Sequence, residues 1–539
     1  VLVCAAPDIL YAEDTDGDDK ADIVRKAYSG FGVGNFQARV NSLVPGLDGW
    51  IHGSCGLFGG TITPFQGDAF ELGDRDFRLR PDGGLIEPAT GRTQQSRVRD
   101  DWGNWFGCDN STLARHYPFD DHVLRAHPQV LPPPSGVAVA READALRLEP
   151  LRRDAQRFKL SGAPAGVTAA CGLGVYRDKQ LGDDYYGDLF TCEPVNLLVH
   201  RLKLEPDRST FVGRRAANEA RREFWATSDN WSRPVQAKTG PDGALWIVDM
   251  YRFVIEHPRW IPEEDLKQLD VRAGSSLGRI YRVRPRRMAA DGTMRPFPPP
   301  FVSVDASTPQ EWAEEMRSEN GTRRDMAMLQ IQWRCGASDL SATSTTDVNY
   351  PQQKALFVDA LRPIARDPKT PPAARAQAFC LIESLGGYDA NDVRYGLIDS
   401  DSGVRRHALR LLAFGQVRGA KSPIAPVVIT AARDPDPLVR AQAAFALADS
   451  QTLDHGKAIA DVAASDYEDP YLRTAVLCCV NSKTALSIIR QTAEIGARDP
   501  RAIKFLPSLL TASAPHLAAR DWDRLVDLLA GANGTSIES

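Results

Sequence analysis

The chain has 539 residues, 43% hydrophobic and 25% charged, a composition typical of globular proteins that at this length hold two or three domains. A net charge of −5 leaves no electrostatic footprint for nucleic acid, and no apolar run approaches the roughly 18 residues of a membrane span. The nine Cys residues are scattered and include no Cys-x-x-Cys pair, so neither a disulfide framework nor a haem-attachment motif is indicated.

Residues 1–285 contain short apolar strands separated by Gly, Asp and Asn, which is typical of an all-β fold. A turn followed by a strand recurs at residues 46–53, 80–84 and 241–246. Recurrence of one unit favours the blades of an all-β propeller over a sandwich, and about 40–50 residues per blade gives five or six blades. We predict a six-bladed propeller. Because Val1 lies inside a predicted strand, we expect the ring to be incomplete at the N-terminus and the chain to be a fragment.

An acidic loop follows the first predicted strands, with carboxylates at relative positions 1, 3, 5 and 9: Asp14, Asp16, Asp18 and Asp22. Such loops fold hard oxygen ligands around Ca²⁺. An EF-hand is disfavoured, because Asp19 and Arg25 occupy the positions where that loop needs Gly and Glu. The sequence predicts a structural Ca²⁺ site here. The alternative is a solvated acidic hairpin turn.

A second polar cluster runs from Arg99 to Asn110 and is followed by His116. Aromatic residues mixed with Asp, Asn and His suit a ligand pocket. His116 is a candidate general base, and Asp101 is the candidate carboxylate beside it. The alternative is that the tryptophans of this run belong to the core and that His116 caps a loop. Glu193, His200 and the Glu256–His257 pair are weaker candidates.

The third cluster precedes the turn at residues 241–243. Two cations, Arg233 and Lys238, lie near Trp231, with Asp229 and Asn230 beside them. Arginine supplies paired donors and tryptophan a stacking face, so these five residues could bind a planar cofactor that bears carboxylates or a quinone. The alternative is that Arg233 pairs with Asp229 at the surface.

Residues 286–303 are rich in proline and predict an extended linker, after which the hydrophobic period changes from 2 to 3.6. Four predicted helices begin with an apolar residue followed by Arg: Arg375, Arg405, Arg440 and Arg473. These arginines are separated by 30, 35 and 33 residues, and turns with Asp or Pro precede them. Residues 304–539 are therefore predicted to form an all-α solenoid of HEAT type.

Several of these segments resemble a family of membrane-bound dehydrogenases from planctomycetes and related bacteria: residues 7–18, 100–107, 192–195 and 229–262. The resemblance implies a propeller similar to that of soluble quinoprotein glucose dehydrogenase, HEAT-like repeats after it, and a periplasmic or extracytoplasmic location. It departs at Asn196, where the family pattern has His. The cytochrome c module that usually ends such chains has no haem motif here.

Two functions remain open on this basis. The first is a dehydrogenase that oxidises a sugar or alcohol with pyrroloquinoline quinone: His116 acts as the base, Arg233 and Lys238 hold the quinone oxygens, and cytochrome c accepts the electrons. The second is a non-catalytic extracytoplasmic scaffold whose propeller binds a glycan or protein and whose solenoid binds a protein partner. No nucleotide-binding or serine-hydrolase motif is present.

Overall fold

The computed structural model describes residues 1–80, 84–152, 166–255, 257–258, 261–286, 306, 308–336, 350–414, 425–448 and 455–534. The predicted linker at 286–303 lies outside these residues except for Arg286, as does Glu256. Within the described part of the chain no helix is long and apolar enough to cross a membrane.

The N-terminal part is built from β-strands, as predicted. The strands are β1 (Leu2–Ala5), β2 (Asp8–Glu13), β3 (Ile23–Ser29), β4 (Asn41–Pro45), β5 (Ile51–Ser54), β6 (Thr61–Pro64), β7 (Phe70–Glu71), β8 (Asp76–Arg80), β9 (Leu85–Ala89), β10 (Gln95–Arg99), β11 (Trp105–Asp109), β12 (Thr112–Tyr117), β13 (Val137–Ala138), β14 (Cys171–Val175), β15 (Leu189–Glu193), β16 (Leu198–Asp207), β17 (Thr210–Arg214), β18 (Trp225–Ala226), β19 (Pro234–Thr239), β20 (Leu245–Asp249) and β21 (Arg279–Val283).

These strands pair into five antiparallel sheets: the first two interleave along the chain, and the other three follow in order. Their strand orders are β1-β2-β3-β6-β7, β4-β5-β8-β9, β10-β11-β12-β13, β14-β15-β16-β17 with β18 on β16, and β19-β20-β21. The first strands of neighbouring sheets lie beside each other: β4 contacts β10, β10 contacts β14, and β14 contacts β19. Each of these four strands also carries a register shift near its start.

Hydrophobic cores lie between successive sheets. The first joins Ile9 and Tyr28 of the first sheet to Phe77 of the second. The next clusters are shared by sheets three and four and by sheets four and five; in the latter, Phe190 packs with Ile247. Strand β20 alternates buried and more exposed residues, as its sequence predicts, whereas all five residues of β15 are buried.

The helices follow the strands, apart from three short ones that precede β21. The helices are α1 (Asp121–Arg125), α2 (Ala143–Leu146), α3 (Glu263–Leu266), α4 (Pro309–Glu315), α5 (Gly321–Cys335), α6 (Tyr350–Arg366), α7 (Pro372–Ser384), α8 (Ala390–Leu397), α9 (Ser402–Phe414), α10 (Ala425–Ala431), α11 (Pro437–Ala448), α12 (Gly456–Ser465), α13 (Pro470–Cys478), α14 (Ala485–Gly496), α15 (Pro500–Ser513) and α16 (Ala519–Gly534).

From α7 onward the helices stack in a regular way. Helices α7, α9, α11, α13 and α15 contact one another in sequence, and α12, α14 and α16 form part of a second row. The predicted start signals hold where they can be checked. Asp469 caps α13 by accepting from two backbone amides, and Pro470 and Pro500 occupy the first turns of α13 and α15.

Contacts divide the chain into two compact units that are not contiguous in sequence. The first, here called the sheet unit, comprises Val1–Pro118 and Gly136–Gln353, and the second, the helical unit, comprises Phe119–Ser135 and Lys354–Ser539. Helices α4 and α5 therefore belong to the sheet unit. The segment between β12 and β13 belongs to the helical unit, where Phe119 packs on Phe445 and Tyr471 donates to the carbonyl of Pro134 at 3.0 Å.

Candidate functional site

The loop between β2 and β3 brings three carboxylates together. One oxygen from each of Asp14, Asp16 and Asp18 lies within 4.8 Å of the others, and all three side chains are exposed. Backbone amides hold the carboxylates in place: Gly17 donates to Asp14 at 2.7 Å, and Asp18 donates to Asp16 at 3.2 Å. Hard, anionic oxygens at this spacing fit the ligand preference of Ca²⁺.

The fourth predicted ligand of this loop, Asp22, contacts a different partner. Its carboxylate accepts from both the backbone amide and the hydroxyl of Thr15, each at 2.7 Å. These bonds lower the pKa of Asp22, the backbone bond contributing most. Asp22 therefore ties the two ends of the loop together and lies outside the trio of carboxylates that could hold a cation.

The predicted catalytic carboxylate, Asp101, lies in a buried ion cluster of the sheet unit. It accepts from Arg177 Nε at 2.7 Å and from the Tyr186 hydroxyl at 2.6 Å, and Arg324 Nη2 lies 2.6 Å from it. Burial alone would raise the pKa of Asp101, but the charges of Arg177 and Arg324 outweigh it and hold the pKa well below the usual range. Asp101 is thus committed as an ionised partner of two arginines.

A second carboxylate extends this cluster. Asp325 pairs with Arg177 at 2.5 Å and with Arg99 at 2.6 Å. The first turn of α5 is fixed to the same place, because the Gly321 amide donates to the Arg177 carbonyl at 2.8 Å. Three arginines and two aspartates therefore anchor α5 on the ends of β10 and β14. This geometry favours a structural role for Asp101 over a catalytic one.

The sequence analysis missed Arg324, although a signal for it exists. Arg324 is followed by Ala327 and Ile331, as Arg375 is followed by Ala378 and Ile382. Its Nη1 donates to two carbonyls of the turn before α5, at 2.7 and 3.0 Å, which is how the helical unit's arginines bind their own turns. The preceding position, apolar in the other helices, is here Arg323, and this hid the repeat.

The predicted base, His116, lies in the core of the third sheet. Its Nδ1 is 2.9 Å from the Thr210 hydroxyl, and the rings of Phe106 and Phe211 lie 5.1 and 4.8 Å from its ring. The side chain is buried, with 2% of its surface exposed. His116 belongs to β12 of the third sheet, whereas Lys238 lies on β19 of the fifth sheet and Arg233 directly precedes that strand.

Arg233 is held by its own segment. Its guanidinium donates to the carbonyls of Ser232 at 3.0 Å and Phe253 at 2.7 Å, and its backbone amide donates to Asp249 at 2.6 Å. Asp249 also accepts from the Tyr251 amide at 2.9 Å. The buried Asp249, which ends β20, therefore organises the segment that the sequence analysis singled out as a cofactor site.

Asp229 pairs with a residue that the sequence analysis did not consider. Arg279 donates to Asp229 at 2.9 Å and lies over the ring of Tyr251 at 3.6 Å from its centroid. Trp231 donates its amide to Asp229 at 3.0 Å and packs on Phe253. The alternative pairing of Asp229 with Arg233 is not the one the structure records.

Two of the predicted cofactor residues make fewer contacts with other side chains. Asn230 has a buried side-chain oxygen with no hydrogen-bond partner in the described part of the chain. Lys238, on β19, is exposed and makes no hydrogen bond or ion pair with any described residue. Neighbouring protein atoms desolvate its ammonium group and lower the pKa of Lys238, while Asp325 opposes the shift.

The weaker candidates Glu193 and His200 are both fully buried. His200 faces acceptors with both ring nitrogens, Glu223 at 2.8 Å and the Ala145 carbonyl at 3.0 Å. Glu193 accepts from the amide and the side chain of Asn196, at 2.7 and 2.9 Å, and burial raises the pKa of Glu193. Asn196 therefore binds a buried carboxylate.

A repeated polar feature lies at the starts of the first strands. Ser42, Ser96 and Gly172 each follow the first residue of β4, β10 and β14 and adopt φ values of 61°, 62° and 57°. Left-handed serines are uncommon, and such strained positions concentrate at functional sites. Ser96 donates to the Gln236 side chain at 3.4 Å and its amide donates to Asn41 at 3.0 Å, so these sheets are joined by polar contacts.

Comparison with known proteins places the chain in a family. Residues 1–287 match the family described as "Domain of unknown function (DUF7133)". The match covers just over half of the 539 residues, so the chain belongs to this family. Neither curated proteins nor solved structures give a match.

Proposed function

We propose that this chain is a non-catalytic extracytoplasmic binding scaffold, with a β-propeller that binds a glycan or protein and a HEAT-type solenoid that binds a protein partner. The propeller is supported by the succession of first strands β4, β10, β14 and β19, each with a register shift near its start. The solenoid is supported by the stacked rows of helices.

The observation that carries this proposal is how the side chains predicted to do chemistry are used. Asp101 is paired with Arg177 and Arg324, His116 is packed between aromatic rings, and Arg233 binds backbone carbonyls. A general base needs access to substrate, and a quinone-binding arginine needs free donors. These residues meet neither need, so they do not fit a pyrroloquinoline quinone site.

A quinone-type dehydrogenase for a sugar or alcohol, with cytochrome c as acceptor, is the second candidate. One observation favours it: Lys238 is exposed, and it has no hydrogen bond or ion pair among the described residues. It lies two positions after Gln236, whose side chain accepts a hydrogen bond from Ser96, a residue with a left-handed φ. A lysine with a lowered pKa beside strained polar residues is a candidate functional group.

Calcium at the β2–β3 loop is part of both proposals. Asp14, Asp16 and Asp18 would supply its protein ligands, and the ion would offset the mutual repulsion of their charges. In the scaffold its role is to brace an exposed hairpin connection. No step of any reaction is assigned to it.

The test is reconstitution of the full chain with the quinone and Ca²⁺, followed by a dye-reduction screen over sugars and alcohols. The scaffold proposal expects no reduction above that of the quinone and Ca²⁺ alone. The proposal is overturned in favour of the dehydrogenase if the wild type reduces the dye in a quinone-dependent way, Lys238→Met abolishes this activity and Lys203→Met keeps it. Lys203 is the matched control because it lies on β16, in another sheet, and is partly exposed.

A further inference from the structure

Three arginines of the helical unit bind their own turns in the same way. Arg405 Nη1 donates to the carbonyls of Asp399 and Ser400 at 2.9 and 3.0 Å. Arg440 Nη1 donates to the carbonyls of Asp434 and Pro435 at 2.7 and 3.0 Å. Arg375 binds the Thr370 carbonyl likewise. Each arginine therefore sits at one repeated position, on the turn before its helix.

Two of the three also hold a carboxylate of the next turn. Arg375 Nε and Nη2 donate to Asp399 at 2.8 and 2.6 Å. Arg405 Nε and Nη2 donate to Asp434 at 2.7 and 3.0 Å. Both are bidentate pairs, the strongest geometry that arginine and carboxylate can form. The repeat thus has a carboxylate position on the Nε–Nη2 edge of each arginine.

On that edge of Arg440 no described residue supplies a carboxylate. Among the described residues, the guanidinium of Arg440 donates hydrogen bonds to two carbonyls and to no other group. Its Nε is buried and has no hydrogen-bond partner among the same residues. The residue in the equivalent place is Asp466, which accepts from the Glu468 amide at 3.0 Å as Asp434 accepts from Asp436.

Turn length explains the difference. Asp434 and the next aspartate, Asp436, are two residues apart, whereas Asp466 and the capping Asp469 are three residues apart. The extra residue changes the path of the turn, and Asp466 makes no pair with Arg440. Among the described residues, the carboxylate position of this repeat is therefore unfilled.

Arg440 lines an open groove of about 510 Å³ together with Arg433, Asp434, Asp461, Ser465 and Ile495. Two of the lining carboxylates are already paired, Asp434 with Arg405 and Asp461 with Arg433 at 3.2 Å. Arg440 is thus the lining cation that lacks a carboxylate among the described residues. Ala432, Pro435 and Ala464 complete an apolar floor.

We propose that this groove binds an acidic segment of a protein partner, with an Asp or Glu side chain taking on Arg440 the place that Asp434 holds on Arg405. The inference rests on the scaffold proposal, since it names the partner of the solenoid. A carboxylate is favoured over a phosphate, because Asp434 and Asp461 in the same groove repel a dianion more than a monoanion. The apolar floor favours a peptide over a free small acid.

The experiment measures binding of fluorescein-labelled 12-residue peptides to the full chain by fluorescence anisotropy. Each peptide carries Asp or Glu at two positions in a background of Gly, Ser, Ala and Leu, and each has a twin with Asn or Gln at those positions. We expect acidic peptides that bind at least about tenfold more tightly than their twins. Arg440→Gln should remove that advantage, and Arg440→Lys should restore only part of it, because lysine cannot bind bidentately.

Two variants serve as controls. Arg375→Gln breaks the same contacts with a preceding turn but leaves the groove intact, so binding should be unchanged. Arg433→Gln removes a lining charge that is already paired and 76% exposed, so binding should change little. The proposal is overturned if no acidic peptide binds up to about 1 mM, the weak limit for a specific contact. It is equally overturned if acidic peptides and their twins bind with the same affinity, or if the Arg440→Gln variant binds acidic peptides as tightly as wild type does. A third contrary result is that inorganic phosphate displaces the peptides and binds more tightly than they do.

These outcomes are independent of the quinone assay. If the chain reduces the dye and also binds acidic peptides through Arg440, the scaffold proposal fails and the groove assignment stands. Absence of both would leave the scaffold and overturn the groove assignment.

Discussion

The two units of this protein use arginine differently, although Arg324 of the sheet unit combines both uses. In the sheet unit, arginines lie in the interior: Arg97, Arg99, Arg201 and Arg324 are among the largest fully buried side chains. Each is paired, as Arg97 is with Asp76 at 2.8 Å. In the helical unit, three arginines occupy one repeated position, on the turns before α7, α9 and α11.

The difference shows where a missing partner can be recognised. A buried cluster such as that of Asp101 is unique, and removing a partner leaves an uncompensated charge that costs several kcal/mol. A repeated arrangement allows a comparison between its members. Arg375 and Arg405 each bind a carboxylate of the next turn, and Arg440 binds none among the described residues. The sheet unit is therefore expected to be intolerant of charge changes, and the helical unit to tolerate one at its open position.

The most severe change should be Asp101→Asn. It removes the charge that faces the buried Arg324 and one of the two carboxylates that hold Arg177, so the free energy of unfolding should fall by about 3–5 kcal/mol. Urea denaturation measures the loss. The matched control is Asp109→Asn, whose pair with Arg115 spans 3.7 Å and is partly exposed, so the loss should stay below about 1 kcal/mol. Equal losses in the two variants would contradict the anchoring role of Asp101.

The second prediction compares two of the repeated arginines of the helical unit. Arg375→Gln removes a buried bidentate pair with Asp399, so the free energy of unfolding should fall by about 2–4 kcal/mol. Arg440→Gln removes only bonds to carbonyls, so the loss should be about 1 kcal/mol. Thermal unfolding followed by circular dichroism checks both. If Arg440→Gln costs as much as Arg375→Gln, Arg440 has an intramolecular carboxylate partner and the groove assignment fails.

The same contrast explains how much of the fold could be predicted. Strand alternation and the repeated Arg positions are local signals, so the succession of antiparallel sheets followed by helices was readable from the sequence. The division into units was not, because α5 reads as an ordinary solenoid helix. What assigns it to the sheet unit is the contact of Arg324 and Asp325 with Asp101 and Arg177, residues about 150 to 220 positions away in the chain.

The candidate site was harder to predict for a related reason. Polar residues next to aromatics fit a pocket and a buried ion cluster equally well in sequence. His116 and Arg233 were singled out by type, yet the Thr210 hydroxyl and the Phe253 carbonyl that hold them lie 94 and 20 residues away in the chain. Ser42 and Ser96 carried no signal, because a left-handed φ in a serine depends on the register shift of its strand.

The third prediction concerns pH and a carboxylate of the sheet unit that behaves unlike Asp101. Burial raises the pKa of Asp188 to about 6, although Arg201 opposes the shift. A raised folded-state pKa gives stability that is fully present below about pH 4, the unfolded value, and is lost as pH rises through 6. The loss should reach about 2–3 kcal/mol by pH 7, at 1.36 kcal/mol for each pKa unit.

Asp188→Asn tests this by removing the titration. Urea unfolding at pH 4, 5, 6 and 7 should show the variant gaining stability relative to wild type as pH rises, with most of the change between pH 4 and 6. Asp101→Asn is the contrast. The lowered pKa of Asp101 gives stability that is present above about pH 4 and lost at lower pH, so that variant should differ less from wild type in acid. A constant difference for Asp188→Asn across the range would refute the assignment.

The smallest expected effect is that of calcium at the exposed carboxylate trio of the sheet unit. Asp14, Asp16 and Asp18 repel one another, and Ca²⁺ would offset that repulsion. At a concentration ten to one hundred times its dissociation constant, the ion should add about 1–3 kcal/mol, or about 2–6 °C in the melting temperature. Asp16→Asn should abolish the rise, whereas Asp19→Asn, outside the trio, should keep it. If Ca²⁺ leaves wild type unchanged, the loop is a solvated hairpin turn, and the carboxylates of the sheet unit that matter are those held by arginine.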